Sequence, residues 1–248
     1  MPQETTSRFA EALITDRPDA AEASQTVGKN RFQVETSFAY GHDHDAGVTT
    51  RNYCFPTLLR FGILGPLEVR LEGEMYSVQT EAGAATQRGI SDLAVGLKAH
   101  WLDNRGWGPS LGTLAHLSVP TGSNNFSSNA VEPIFKILAD WELPADFSLG
   151  INAGVDLPAR DAVGDKFARF LYAAAVGHPT PFWKERMRIF VEASGAVQLK
   201  AAKSAEQTFD TGLALLITPD IQVDGFVQLG LTEASPGLQT GLGFSWRL

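Results

Sequence analysis

Hydrophobic and polar residues alternate along this chain from about residue 30 to the C-terminus. In the first segment Phe32, Val34 and Phe38 lie on one face, and Gln33 and Glu35 lie on the other. A period of two is typical of a β-strand whose faces meet different surroundings. The pattern recurs in about twelve segments, each about as long as a tilted strand that crosses a bilayer. It predicts an all-β protein of about twelve antiparallel strands.

The connections between the segments alternate in length. The tight turns each contain a proline and are Gly65-Pro66, Pro144-Ala145-Asp146 and Pro219-Asp220. Other connections, such as Gly41–Thr50 and Thr121–Asn129, are interpreted as longer polar loops. Short turns at one end and long loops at the other are typical of a closed up-and-down barrel in a membrane.

Alternation alone does not say whether the apolar face points into a core or into lipid, because soluble barrels and sandwiches alternate too. Two further features favour lipid. Aromatic residues recur near the segment ends, at Tyr40, Tyr53, Trp101, Trp107, Trp141, Phe182, Trp183 and Trp246. Glycines crowd the polar face, at Gly96, Gly112, Gly150, Gly154, Gly212, Gly241 and Gly243. We therefore predict a closed antiparallel transmembrane β-barrel of the outer-membrane type.

Composition narrows the possible functions. The net charge of −8, with no basic run, argues against a nucleic-acid partner. The single Cys54 excludes an internal disulfide framework. No apolar run approaches the roughly 18 residues of a membrane-spanning helix, so a membrane form of this chain must cross with strands. Residues 1–6 lack the features of an export signal, and we expect that signal to lie upstream of Met1.

Residues 1–29 are polar, have no sustained period, and precede a barrel domain at 30–248. A barrel of about twelve strands has a narrow lumen. Because this leader enters from the periplasmic side, we expect it to be an extended segment that plugs the lumen. Asp16, Arg17 and Asp19 would then pair with charges inside the barrel. The alternative is a disordered periplasmic tail.

The polar face supplies charged candidates for the lumen lining. They are Glu68, Arg70, Glu72, Glu74, Lys98, Lys136, Asp140, Arg169, Arg186, Arg188, Glu192, Asp210 and Arg247. Opposed charges across a narrow lumen would form a polar constriction. The alternative is that they pair across neighbouring strands and hold the wall together.

Two short motifs suggest other chemistry. His42-Asp-His-Asp45 has residue types that bind divalent metals, but in an external loop without a distant partner it is interpreted as solvated. His116 and Ser118 share a face, yet no acid partner can be identified for a hydrolase. We therefore predict no metal site, no cofactor and no catalytic residue.

Several longer stretches are distinctive in their order and spacing. They are Thr15–Asp19, Gly89–Lys98, Leu117–Ser123, Asp210–Gln222 and Gly241–Leu248. On these stretches the chain resembles, from residue 14 to 248, the outer-membrane barrels of the Putative MetA-pathway of phenol degradation family, often called transporters. The resemblance implies a bacterial outer-membrane channel for passive uptake of small, aromatic or hydrophobic compounds. The alternative is a structural or adhesive barrel with a filled lumen that acts through its external loops.

The last strand resembles the signal that the barrel assembly machinery recognises, with a glycine, Trp246 and a terminal apolar residue, Leu248. The expected partners are that machinery during insertion, outer-membrane lipid and a small-molecule permeant.

Overall fold

The computed structural model describes residues 12–18, 20–45, 47–157, 167–183, 186–199 and 205–248. Within these residues the strands are β1 Phe32–Asp45, β2 Val48–Leu64, β3 Leu67–Glu81, β4 Gln87–Gly89, β5 Leu93–Leu102, β6 Ser110–Val119, β7 Glu132–Glu142, β8 Ser148–Asp156, β9 Arg169–Pro179, β10 Met187–Gln198, β11 Ala205–Thr218, β12 Ile221–Gly230 and β13 Leu238–Arg247. A 3₁₀ turn spans Pro144–Asp146. In this part of the chain, no helix is long and apolar enough to cross a membrane.

Twelve of these strands form a closed antiparallel ring, because the first strand pairs with the last. Gln33 on β1 lies opposite Arg247 on β13, and His42 lies opposite Leu238. The remaining strands pair with their neighbours in the chain, and β3 pairs directly with β5. The short β4 adds to β3 beyond this pairing. The predicted up-and-down barrel of twelve strands is confirmed.

Burial shows which face of the sheet points inward. On β5 the Lys98 side chain is fully buried, while Val95 and Leu97 are 54% and 51% exposed. On β1, Gln33 and Glu35 are fully buried and Phe38 is exposed. The polar face lines the lumen and the apolar face covers the outside, as in a barrel surrounded by lipid and opposite to a soluble barrel.

The two ends of the ring differ in their connections. The turn end carries Gly65-Pro66 and Pro219-Asp220, each a two-residue connection between long strands, together with the start of β1 and the end of β13. The loop end carries the two-residue connection between β1 and β2 together with longer ones, including residues 120–131 between β6 and β7. The tight turns and the loop at Thr121–Asn129 were predicted, and these predictions are confirmed.

The predicted loop Gly41–Thr50 is wrong. Strand β1 continues to Asp45 and β2 begins at Val48, and Asp43 lies opposite Thr50 in the ladder. Backbone pairing does not need apolar side chains, so a strand continues where both of its faces become polar. The motif from His42 to Asp45 therefore lies on a strand that extends past the apolar surface, and not in a flexible loop.

Candidate functional site

Residues 12–29, called the N-terminal segment below, lie against the inward-facing side chains of the ring. The Leu13 N–H donates to the Pro219 carbonyl at 2.7 Å, and the Asn30 N–H donates to the Gly62 carbonyl at 2.8 Å. Both contacts lie near turns at the turn end. Between them the segment reaches Glu192 and Asn152, near the middles of β10 and β8. The segment therefore enters and leaves at the turn end, with its tip near Ala20.

The carboxylate of Asp16 lies among three cations of the wall. Its Oδ2 is 2.6 Å from Lys98 Nζ, 2.8 Å from Arg70 Nη1 and 3.4 Å from Arg60 Nη1. All four side chains are almost completely buried. Burial strengthens each charge interaction and makes an unpaired charge costly, so this cluster fixes the segment firmly to β2, β3 and β5.

Glu22 bridges two further cations near the tip. Its Oε2 is 2.8 Å from Arg70 Nη1, and its Oε1 is 2.8 Å from Lys136 Nζ. Asn152 holds the same residue by its backbone, accepting from the Glu22 N–H at 2.7 Å and donating to its carbonyl at 3.0 Å. Glu22 is thus fixed both by its carboxylate and by its peptide groups.

Carboxylates of the wall accept hydrogen bonds from the backbone of the segment. Glu192 accepts from the N–H groups of Ala20 and Ala21 at 2.9 and 2.7 Å. Asp140 accepts from the Ser24 N–H at 2.6 Å, and Glu68 from the Val27 N–H at 2.8 Å. These bonds satisfy buried amides that have no strand partner, so an irregular segment is tolerated at membrane depth.

Arg60 connects the wall charges with one another. Its guanidinium donates to Glu68 Oε1 at 2.8 Å and to Glu35 Oε1 at 2.9 Å. It also donates to the carbonyls of Ile14 and Gln25 in the segment. We call Glu35, Arg60, Glu68, Arg70, Glu72, Lys98 and His116, which face inward from β1, β2, β3, β5 and β6, the ionic wall.

The opposite side of the lumen carries small residues. Gly154, Ala173, Ala175, Ser194, Ala196 and Thr208, on β8 to β11, form what we call the small-residue wall. Ala21 of the segment packs against Ala173 and Ala175. This side also contributes Asn152 and Glu192, which bind the backbone of the segment.

Two cavities meet the tip of the segment. A cavity of about 270 Å³ lies against the small-residue wall, and one of about 440 Å³ lies beside the ionic wall. Ala20 and Lys136 line both. Ala20 is itself exposed. Space inside the ring is therefore divided at the tip, next to the ion pair between Glu22 and Lys136.

The predicted lumen candidates fall into two groups. Those deep in the ring contact the segment or its partners, and they are Glu68, Arg70, Glu72, Lys98, Lys136, Asp140, Glu192 and Asp210. Those near the ends of the ring are Arg169, Arg186, Arg188 and Arg247. Arg169 pairs with Asp156, Arg186 donates to the Leu216 carbonyl, Arg188 donates to Ser148, and Arg247 pairs with Asp220. Glu74, on β3, accepts from Ser77.

Of the three charged residues predicted for the leader, two can be located. Asp16 lies in the ionic wall cluster described above, and Arg17 Nη2 is 3.4 Å from Asp224 Oδ1 on β12. Asp19 lies outside the described residues.

Arg60, Glu22 and Asn152 were not among the sequence candidates, although the structure places them at the centre of these contacts. Arg60 lies between Leu59 and Phe61, which are on the apolar face, so strict alternation would have assigned it to the lumen. Arg60 was not chosen as a lumen candidate because it lies within a stretch of apolar residues. Asn152 lies on the polar face of its strand, but only the path of the irregular segment shows what it binds. Glu22 lies in the aperiodic segment itself, where no period indicates its role.

The other motifs show local contacts. His44 Nδ1 is 3.0 Å from Thr49 Oγ1, and no group of three or more His, Cys, Asp or Glu side chains in the described ranges could hold a metal ion. His116 Nδ1 is 2.8 Å from Glu72 Oε1, so this histidine belongs to the ionic wall.

At the loop end, Asp92 joins two connections. It accepts hydrogen bonds from the N–H groups of Gly122 and Ser128 and from the Ser128 hydroxyl, at 2.8 to 3.1 Å. Desolvation raises the pKa of Asp92, but these hydrogen bonds outweigh it and lower that pKa below its ordinary value. The ionised carboxylate orders the 120–131 loop against the residues before β5.

Comparison with known proteins identifies the family and the fold. Residues 15–248 match the family described as Putative MetA-pathway of phenol degradation. The structure is similar to an outer membrane channel from Pseudomonas putida F1, with a TM-score of 0.66 and 11% identity over 94% of this chain and 99% of that one. It is also similar to the β domain of the Bordetella autotransporter BrkA (TM-score 0.59, 11% identity, 88% and 99% covered) and to the NanC porin (TM-score 0.56, 14% identity, 88% and 100% covered). No curated protein matches the sequence.

Proposed function

This chain belongs to the Putative MetA-pathway of phenol degradation family, and we propose that it is a bacterial outer-membrane channel for passive uptake of small compounds. Its N-terminal segment restricts the lumen from the periplasmic side. The polar, charged interior inside an apolar exterior carries this proposal. A barrel of this kind separates a wet path from lipid.

The two cavities at the tip of the segment support a passage and limit what it admits. The cavity against the small-residue wall, about 270 Å³, is at the small end of ligand pockets. Its inward side chains include Leu171, Ala173 and Ala196. Polar side chains line the same cavity, among them Lys136, Asn152 and Thr208. A lining of both kinds admits small compounds that combine an aromatic or hydrophobic body with a polar group.

The N-terminal segment supports a restricted passage. Twelve strands leave a lumen between the filled interior of an eight-stranded barrel and the open channel of a porin. The described part of the segment occupies the turn-end half of that space and is held by buried ion pairs. A compound that crosses the barrel must pass beside this segment or displace it.

Conductance in planar lipid bilayers tests the proposal. We expect the full-length protein to show small, discrete conductance steps, and a variant that lacks residues 1–25 to show larger ones. A matched comparison uses Arg169→Gln, which removes a lumen charge at the loop end and leaves the segment in place. That variant should conduct as the full-length protein does.

Two outcomes contradict the proposal in different ways. If neither form conducts, the barrel acts structurally or through its external loops, which the ordered contacts of Asp92 would serve. If both conduct equally, the protein is a channel but the segment does not restrict it. Swelling of protein-loaded liposomes in solutions of small aromatic compounds or of sugars then tests which compounds pass.

A further inference from the structure

The carboxylate of Glu22 lies where a ligand entering the lumen from the loop end would meet cations. Lys136 lines both cavities, and Arg70 and Glu22 line the larger one. Glu22 gives one oxygen to each cation, at 2.8 Å in both cases. A carboxylate held between two cations at the boundary of open space is the arrangement expected of a bound organic acid.

We propose that Arg70 and Lys136 form a binding subsite for the carboxylate of a small organic anion, and that Glu22 occupies it as an internal ligand. The proposal rests on the channel function above and specifies the chemistry of its permeant. A permeant acid takes the place of the Glu22 carboxylate on Lys136 and Arg70. Its arrival releases the Glu22 side chain, because Glu22 loses both of its ion pairs, while the backbone of the tip stays in place.

Arg70 contacts the N-terminal segment through one nitrogen. Arg70 is 3% exposed, and its Nε is buried without a hydrogen-bond acceptor among the described residues. Its Nη1 is already shared between Asp16 and Glu22. The Nε–H group points away from Nη1 and has no exposed surface, so a free acid binds Arg70 through Nη1, in the place of the Glu22 carboxylate.

The small-residue wall indicates what the rest of the ligand is like. From Lys136 the cavity of about 270 Å³ extends over Gly154, Ala173 and Ala196. Glycine has no side chain and alanine has only a methyl group, so the strand surface is nearly flat there and a ligand can approach the backbone closely. Polar side chains also line this cavity, among them Asn152, Ser194 and Thr208. A planar body that ends in a carboxylate can lie over the small residues with its charge at Lys136.

Backbone hydrogen bonds keep Glu22 close to the two cations even when another carboxylate takes its place there. The Glu22 peptide groups stay bonded to Asn152, and Ala20 and Ala21 stay bonded to Glu192. Glu22 therefore competes at a high effective concentration, and external acids bind weakly until its charge is removed.

Equilibrium binding of benzoate to the detergent-solubilised full chain, measured by calorimetry, tests the subsite. We expect Glu22→Gln to bind benzoate at least about tenfold more tightly than the wild type. Adding Lys136→Gln to that variant should return the affinity to the wild-type value or below. Benzamide and acetate, which lack the charge and the planar body respectively, should bind more weakly to Glu22→Gln than benzoate does.

The matched control is Glu206→Gln, which removes a carboxylate that lines the same cavity but pairs with Arg169 rather than with Lys136. Its benzoate affinity should stay at the wild-type value. An equal gain in both variants would mean that only the net charge of the lumen matters, and would overturn the proposal. So would equal binding of benzamide, or no gain in Glu22→Gln.

A second variant guards against misfolding of Glu22→Gln. Deletion of residues 1–25 also removes Glu22, and it should raise benzoate affinity in a way that Lys136→Gln cancels. Binding in detergent does not depend on conduction. A conducting protein without these affinity changes refutes the subsite alone, while a protein that binds benzoate as expected but never conducts refutes the channel.

Discussion

The ionic wall and the small-residue wall hold the same segment by different means. On the ionic wall, buried cations of β2, β3 and β5 pair with the Asp16 carboxylate. On the other side, Glu192 and Asn152 bind backbone groups, and alanines pack against Ala21. The ionic wall thus combines ion pairs to a side chain of the segment with backbone hydrogen bonds to Arg60 and Glu68. The other side holds the segment by backbone bonds and apolar packing.

This difference gives the two walls separate roles in the proposed channel. One wall anchors the N-terminal segment, and the other leaves room for a compound to pass. A buried ion pair is costly to break because one charge is then left alone in a low dielectric. Small side chains leave space and lose little when a ligand replaces solvent there. In the proposed channel, the ionic wall would be the fixed side of the lumen, and the small-residue wall the side along which compounds move.

The largest effect should come from Arg60→Met. This change leaves Asp16, Glu35 and Glu68 without the cation they share, and we expect it to lower the free energy of unfolding by roughly 3–5 kcal/mol. Urea unfolding in lipid vesicles measures this. Ser194→Ala on the other wall removes one hydrogen bond to Thr208 and should cost about 1 kcal/mol. Equal losses would contradict the comparison.

A smaller effect is expected where the segment crosses the wall at a glycine. A Cβ at Gly112 would lie 2.6 Å from the Ser24 carbonyl oxygen, so Gly112→Ala must push the segment away. Hydrogen exchange of the amides of residues 20–24 should become about tenfold faster, as expected of a locally opened segment.

Gly150 provides the control for that experiment. A Cβ there would lie 3.4 Å from Asp140 Oδ1 and 3.8 Å from the Ala21 Cβ, both ordinary contacts, so Gly150→Ala should leave amide exchange nearly unchanged. If both variants behave as the wild type does, the segment does not lie against Gly112 in solution.

The smallest effect on stability should come from Ala196→Leu, which fills part of the cavity beside the small-residue wall. We expect the free energy of unfolding to change by less than about 1 kcal/mol, since the added side chain enters open space. Conductance should nevertheless fall, and Ala196→Ser should conduct as the wild type does. Unchanged conductance in Ala196→Leu would place the passage elsewhere.

The sequence predicted the barrel because period-two alternation is a local property of each strand. Alternation alone does not decide which face is inside, since a soluble and a lipid-facing barrel contain the same letters in the same order. The aromatic segment ends and the glycines on the polar face led to the prediction of a polar lumen. Closure of β1 onto β13, with Lys98 buried and Leu97 exposed, confirms that prediction.

The lumen contacts were less predictable. Lys98 and Arg70 follow from their place on the polar face, but their partners depend on where an aperiodic segment runs. Asp16 could be proposed from its charge, whereas Glu22 and Asn152 meet only because the segment turns back near Ala20. Arg60 was not predicted because its neighbours in the chain are apolar, although period-two alternation places it on the inward face.

A reversible crosslink tests most directly whether the N-terminal segment restricts the channel. Ser24 Oγ and Ser110 Oγ are 2.8 Å apart, so cysteines at these positions, in a Cys54→Ser background, can form a disulfide. We expect single-channel conductance to be lowest when the pair is oxidised, higher after reduction, and highest without residues 1–25. Equal conductance in all three states would contradict the account.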